Sequence, residues 1–571
     1  KTRVAVAAAS ELAEGIDDAS GSGARYSASY IDQLADGRLG VALGIAGQST
    51  PIATQRSELW NYGDTYQNTQ YNDEDEISYN APWGGSSLVR GGEDSRIGGM
   101  AVIQWQPTDD LEIGYDFFYS RLEIDEEQRG YDFNIDSNYE RQWTPLESVP
   151  SRYTGENAGS RDLTAGRGGL SSLRNLNEHF MQDDELTSHA VNVEWNTGAW
   201  TFVGDLSYSE TNRDRQWQAL RTTNNTEDMY GTFSATSDDR MVFELDPGIS
   251  LTDLSQNSVS NIEVQPRSYG EDSISAVKLE AVRELDFGLL TGVTFGVRYS
   301  DREKLQDAQI WEQSVSQNAG DPLTQDMVAK AGADDYWSDL PEYLALNRNQ
   351  VIDYYFGGSN NPNPGDNDDL LASCNVKEET SAAYIEFDLP TDIGDMPLTG
   401  NVGVRGVQTD TSSSGYQVLG TSEWVEDPVG SDNWVEVPAS AEAVTIENDY
   451  DELLPSLNLA LDVTEDTIVR FGAAKTIARP PLDFLSPAVN IAQDEFAPNP
   501  GESGSGNPKL EPFRATQADL SYEWYFDEGD SLAATLYYKH MDSYIARQAG
   551  AQPVEVNDTE YSLSLPVNGS G

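Results

Sequence analysis

The sequence predicts an all-β chain: a transmembrane antiparallel β-barrel with short turns at one end and long loops at the other. Three observations predict it. Polar and apolar side chains alternate strictly through many segments, short and very long connections alternate between those segments, and charged residues sit in the middle of the polar faces. A two-layer soluble sandwich would bury that polar side, so the charges require a wet interior and an apolar side that meets lipid.

Alternation defines about fifteen strands, at residues 2–13, 24–32, 38–49, 95–106, 110–125, 186–196, 199–212, 272–284, 290–303, 378–388, 397–412, 450–463, 466–477, 514–526 and 531–546. In "LEIGYDFFYS", Leu111, Ile113, Tyr115, Phe117 and Tyr119 oppose Glu112, Gly114, Asp116 and Ser120. In "VTFGVRYS", Val293, Phe295, Val297 and Tyr299 oppose Thr294, Gly296, Arg298 and Ser300. The polar faces place Asp116, Glu194, Asp205, Arg298, Glu386, Arg405 and Arg470 toward a lumen, where salt bridging to a plug and a substrate path are the two readings. Trp105, Trp195, Trp200, Trp524 and Phe526 flank short turns and are expected in an interfacial aromatic girdle.

Tight turns occur in "DQLADGR", "QPTDDLE", "NTGA", "DVTEDT" and "FDEGDS". Between them the expected loops cover 50–94, 126–185, 213–271, 304–377, 413–449 and 478–513, the longest being 304–377. Loops of that size are far above the usual median of about 4–6 residues and carry binding functions when ordered. Their aromatics are Trp60, Tyr62, Trp83, Trp143, Trp217, Trp311, Trp337, Tyr354, Tyr355, Trp424 and Trp434, set among amides and carboxylates. Flat apolar faces beside such groups suit the stacking of sugar rings; the competing reading is that the aromatics hold the loops together.

Composition narrows the function classes. With 35 Lys+Arg against 97 Asp+Glu the net charge is −62, which excludes nucleic-acid binding. The 28 Tyr and 12 Trp do not suit a disordered chain. The acidic runs "NDEDE" at 72–76, "EIDEEQ" at 123–128 and "GDNDDLL" at 365–371 lack calcium-loop spacing and are expected to be solvated loops that could meet lipopolysaccharide through divalent ions. Cys374 is expected to be a small loop residue. His179, His189 and His540 form no metal or nucleophile motif, so neither an enzyme nor a cofactor or metal is expected.

Residues 453–487, "LLPSLNLALDVTEDTIVRFGAAKTIARPPLDFLSP", together with "GNPKLEP", "DLSYEWYF" and "LAATLYYKHMDSYI", resemble TonB-dependent outer-membrane receptors. The similarity is closest to a group from Caulobacter- and Xanthomonas-like bacteria, many of which import oligosaccharides. The resemblance implies a 22-stranded barrel of a Gram-negative outer membrane with external loops. It also implies an N-terminal plug through which the parent protein contacts the TonB–ExbB–ExbD complex, and a small nutrient ligand, with an oligosaccharide favoured. Against that pattern the chain reads over 1–571 as a partial barrel, about fifteen strands without plug or final strands, ending in a loop-like "PVNGSG". A passive porin-like channel, a siderophore or vitamin receptor and a surface adhesin are the alternatives.

Overall fold

A computed structural model describes residues 2–11, 21–60, 69–72, 77–136, 143–150, 160–235, 241–287, 290–314, 323–331, 342–356, 367–421, 423–426, 434–437, 439–493, 506–527, 529–556 and 559–570. Fifteen long strands run antiparallel in chain order. They are β1 (Thr2–Glu11), β2 (Gly21–Leu34), β3 (Leu39–Trp60), β4 (Gly84–Thr108), β5 (Leu111–Ile135), β6 (Arg161–Thr197), β7 (Trp200–Asn224) and β8 (Asn257–Phe287). They continue with β9 (Leu290–Ser314), β10 (Cys374–Asp388), β11 (Met396–Thr421), β12 (Glu442–Thr464), β13 (Thr467–Ala478), β14 (Phe513–Asp527) and β15 (Asp530–Val556). Each pairs with its sequence neighbours, from β1 on β2 to β14 on β15.

Period-two chemistry decides the faces of this sheet. Leu206, Leu279, Val297, Phe295, Leu520 and Tyr522 are exposed on the outer face, where apolar atoms meet no protein. Their strand neighbours Asp205, Lys278, Arg298, Ser521 and Glu523 take the inner face. The short connections gather at one end and bend through left-handed residues: Ala35, Asp36 and Gly37 before β3, Gly198 before β7 and Gly529 before β15.

The strands are much longer than alternation alone predicts. A membrane strand needs about 9–11 residues, whereas β4 and β5 have 25 each and β6 has 37. The expected loops 50–94, 126–185, 213–271 and 413–449 are therefore in large part strand, and 304–377 is strand at both ends: their polar composition hid backbone pairing that continues beyond the apolar band. Trp217 lies on β7, "EIDEEQ" lies on β5, and Cys374 opens β10 rather than sitting in a loop. The 304–377 segment holds helices α1 (Arg348–Phe356) and α2 (Asn367–Ala372) between the two strands that absorb its ends. The "PVNGSG" end also differs from expectation: Thr559–Gly569 is a strand, β16, paired with the loop-end half of β15.

Two hydrophobic cores hold the loop end. In the first, Phe133 stacks on Phe243 with centroids 3.9 Å apart, and Trp143 meets Phe233 edge-on at 4.7 Å. In the second, Leu220, Ile262, Val264, Leu344, Val351 and Ile352 pack between β7, β8 and α1. Asn175 and Asn177 fix that core by imitating a strand edge: their Oδ1 atoms accept from the Leu344 and Leu346 amides at 2.9 and 2.8 Å. These buried amides are thereby satisfied without a further strand.

Two glycines let the β4–β5 hairpin bend above the apolar band. Gly92 and Gly130 have φ of 155° and 157°, and a Cβ would lie 2.1 Å from the Asp125 carbonyl oxygen and 2.0 Å from that of Ser87. Gly130→Ala should cost about 1–3 kcal/mol locally, read as faster amide exchange at Tyr131–Phe133 with the turn-end strands unchanged. A second test concerns Glu178, about 20 residues from the turn at Gly198 and so beyond the membrane strand. Burial pushes its carboxyl up, while Arg221 opposes the shift. A raised acid contributes stability below the ordinary carboxylate value and loses it as pH rises through the folded one. Amide protection around Glu178 should thus fall from acid to neutral pH, and Glu178→Gln should flatten that dependence.

Candidate functional site

The inner face of β7–β12 is built in register rows. One row runs Asp205, Lys278, Arg298, Ala382, Val407, Glu452. The next toward the turns runs Val203, Glu280, Gly296, Tyr384, Arg405, Leu454; the next toward the loops runs Ser207, Ala276, Ser300, Thr380, Thr409, Tyr450. With strands about 4.8 Å apart and rows about 7 Å apart, long side chains reach across two strands.

A connected polar chain crosses these rows. Asn192 donates to Asp205 at 2.8 Å, and Lys278 lies 3.8 Å from Asp205 and 2.5 Å from Glu280. Tyr384 donates its hydroxyl to Glu280 at 2.6 Å, and the Arg405 guanidinium lies over the Tyr384 ring at 5.3 Å. The ring fits because its strand partner is glycine: a Cβ on Gly296 would lie 2.0 Å from Tyr384 Cζ. Nearer the loops, Arg302 makes a two-pronged pair with Asp272 at 2.8 and 2.6 Å. Lys304 reaches Asp483 at 2.5 Å, and Arg479 approaches Glu378 at 3.7 Å. The segment after β13 is thus tied to the inner wall by charge, and by Leu482 and Leu485 packed with Val376 and Leu510.

The register puts Asp116, Glu194, Asp205, Arg298, Glu386, Arg405 and Arg470 on this one face. Arg470 pairs with Glu523 at 3.1 Å. Trp105, Trp195, Trp524 and Phe526 are exposed on the opposite face near the turns, with Trp195 and Trp200 both against Phe202. The loop aromatics divide. Trp143 is 1% exposed and donates its indole N–H to the Pro82 carbonyl at 2.8 Å, so it is a core residue rather than a ligand platform. Trp60 meets Trp83 edge-on at 5.8 Å, and Tyr354 meets Tyr355 at 4.9 Å on α1; Trp83 and Tyr354 are exposed. Trp217 is on the inner face of β7, opposite Phe180. Tyr62 and Trp337 lie outside the described residues, as do the side chains of Trp311, Trp424 and Trp434, whose backbones are in strands.

"EIDEEQ" is no solvated loop. Glu126 pairs with Arg90, Glu127 with Arg129, and Asp125 with His179 at 2.6 Å. Among the described residues no group of His, Cys, Asp or Glu is arranged to hold a metal ion. Lys278, Glu280, Tyr384 and Arg479 were not singled out from sequence. The alternation of Val277, Leu279 and Ala281 with Lys278 and Glu280 carries that signal.

Residues 60–568 match the family described as TonB dependent receptor-like, beta-barrel. The chain belongs to that family. Its members are outer-membrane proteins of Gram-negative bacteria, which gives the exposed apolar face its lipid. Comparison with curated proteins gives no match to this sequence. Among solved structures, the siderophore receptor PiuA from Acinetobacter baumannii is similar at 11% identity, covering 98% of this chain and 59% of that one, with a TM-score of 0.45. The ferric-catecholate import receptor Fiu from E. coli K12, in its closed form, is similar at 12% identity, covering 99% and 60%, with a TM-score of 0.44. The chain thus spans about three fifths of their length. No helix of the described residues is long and apolar enough to cross a membrane, and the strands do so instead.

Gly296→Ala should displace the Tyr384 ring and free Arg405 and Glu280, an overpacking cost of about 1–3 kcal/mol. The urea midpoint of the folded barrel should fall, and adding Tyr384→Ala should recover part of the loss.

Proposed function

We propose that this chain forms the barrel wall of a receptor that takes a nutrient from the cell exterior, at the loop end, and delivers it inward with energy supplied through TonB–ExbB–ExbD. The observation that carries the reading is the inequality of the two ends, within a chain of the TonB-dependent receptor family. Short turns close one end, while strands and packed cores extend far past the apolar band at the other, where a ligand can be held before it enters.

An oligosaccharide is the cargo that exposed Trp83 and Tyr354 and the inward-placed Trp217 favour, because a sugar ring stacks on an aromatic face while amides take its hydroxyls. A ferric chelate is the second reading, favoured by the guanidinium groups of the inner wall. Uptake of labelled oligosaccharides and ferric chelates into cells carrying the protein should require an energised TonB system. Equal uptake without TonB, with free passage of small sugars through liposomes bearing the protein, would instead identify a passive channel. Trp83→Ala with Tyr354→Ala should weaken a bound oligosaccharide by about 1–3 kcal/mol if stacking holds it, taking the aromatic-stacking scale as guide.

A further inference from the structure

The lipid-facing wall carries a groove that strand alternation does not require. On the outer side of β8, Val277 lies in register between Leu206 of β7 and Tyr299 of β9, and one row nearer the loops Ser275 lies between Tyr208 and Asp301. Small groups on the middle strand, with large ones on either side, leave an open volume of about 380 Å³, with Val191 and His189 along its far edge. Leu206, Tyr208 and Tyr299 are exposed there, on the face that the family's membrane location gives to lipid and away from the lumen.

The groove ends at head-group height. His189 and Tyr208 stand about nine or ten residues from the turn at Gly198. At roughly 3.3 Å per residue and a strand tilt of about 40°, that distance is about 24 Å, the top of an apolar band roughly 25 Å tall. Apolar walls therefore lie beside acyl chains, and the loop-side rim lies beside head groups.

That rim is polar and acidic. The His189 ring is held by Phe117, with centroids 5.1 Å apart, and by the Tyr115 hydroxyl, 3.0 Å from Nδ1, so Nε2 is the ring atom left to meet a head group. The Tyr208 hydroxyl donates to Glu210, which leaves its oxygen as an acceptor. Glu379 and Asp301 lie beside the Tyr299 hydroxyl. From there Asp301, Glu379, Asp410 and Asp449 form an exposed row of four acids across β9–β12, with no base among them. One row nearer the loops, Lys377 is occupied by Glu303 at 3.3 Å. Carboxylates at the edge of hydrocarbon attract a cationic donor and repel an anionic head group more strongly than they would in bulk water.

We propose that this groove along β8 is a binding site for a single membrane lipid whose head group carries an ammonium group. One acyl chain lies over Val277 between Leu206 and Tyr299, and the ammonium is received by Glu210, Asp301 and Glu379. Ser275, where chain gives way to head group, donates its hydroxyl to an ester or phosphate oxygen of the lipid. The site goes beyond the receptor reading and is independent of it, since it lies outside the lumen and stands for a receptor or a passive channel alike.

The test is native mass spectrometry of the protein purified in detergent and titrated with dioleoyl phosphatidylethanolamine or dioleoyl phosphatidylglycerol, which share their chains and differ in head-group charge. The ethanolamine lipid should be retained about tenfold or more over the glycerol lipid, the scale of one charged hydrogen bond, and its lead should shrink as salt rises. Ser275→Leu adds only an apolar group to a lipid-facing strand, so it should fill the groove and abolish retention of the ethanolamine lipid. Asp301→Asn with Glu379→Gln leaves the groove open and should bring the two lipids to equal retention. All three positions are exposed, and the heat-dependent gel shift of the barrel checks that the variants fold. Equal retention of both lipids by the unaltered protein, or a preference for the glycerol lipid, marks an ordinary lipid annulus and overturns the site. Undiminished retention by Ser275→Leu, or an unchanged preference in the double variant, overturns it too.

Discussion

The structure depends on unbroken antiparallel register. Side chains alternate with a period of two, so a slip of one residue between neighbouring strands would send every lipid-facing apolar group into the lumen and every charge into lipid. Leu279 and Val297 stay outside, and Lys278 and Arg298 stay inside, because β8 and β9 hold one register from Ser268 to Glu284. Irregularities fall where they do least harm: the shifts at Arg215 to Trp217 and at Val264 to Arg267 lie in the loop-end half of their strands, beyond the apolar band.

Register also sorts charge. A chain of net charge −62 would repel itself if its acids were evenly spread. Here many acids sit on the outer wall at the loop end, while Lys278, Arg298, Arg302, Lys304 and Arg405 cluster on the inner side of β8–β11. On that inner side they alternate with Asp272, Glu280, Glu378 and Glu386, and pairs such as Lys278 with Glu280 and Arg302 with Asp272 offset charge locally. Net charge therefore hides a local balance of acids and bases on this stretch of the inner wall.

Sequence legibility followed the same division. The fifteen strands and both faces were readable near the turns, because lipid demands apolar residues at alternate positions, and Phe295, Val297 and Tyr299 satisfy that demand. Above the membrane the demand lapses. Glu127 and Arg129 continue the strand that holds Glu123 and Asp125, yet with water on the outer side nothing forces an apolar residue there, and the stretch from 126 onward read as loop. Trp143 misled in the other direction: an aromatic among polar neighbours looked like a ligand platform, and only the distant Phe233 and Pro82 reveal it as core. The pairing of Lys278 with Glu280 and of Arg302 with Asp272 was beyond reach, since it depends on register between strands.

The extended strands also lengthen the path between open water and the membrane. At roughly 3.3 Å per residue, a strand of 25 residues is about 80 Å long, of which the membrane takes about a third. A solute entering at the loop end passes a wall that carries the ion pairs of Arg302, Lys304 and Arg479 before it reaches the membrane. Diffusion out of a deep collar takes longer than escape from a shallow rim, so the height of the wall lengthens residence without adding a single contact.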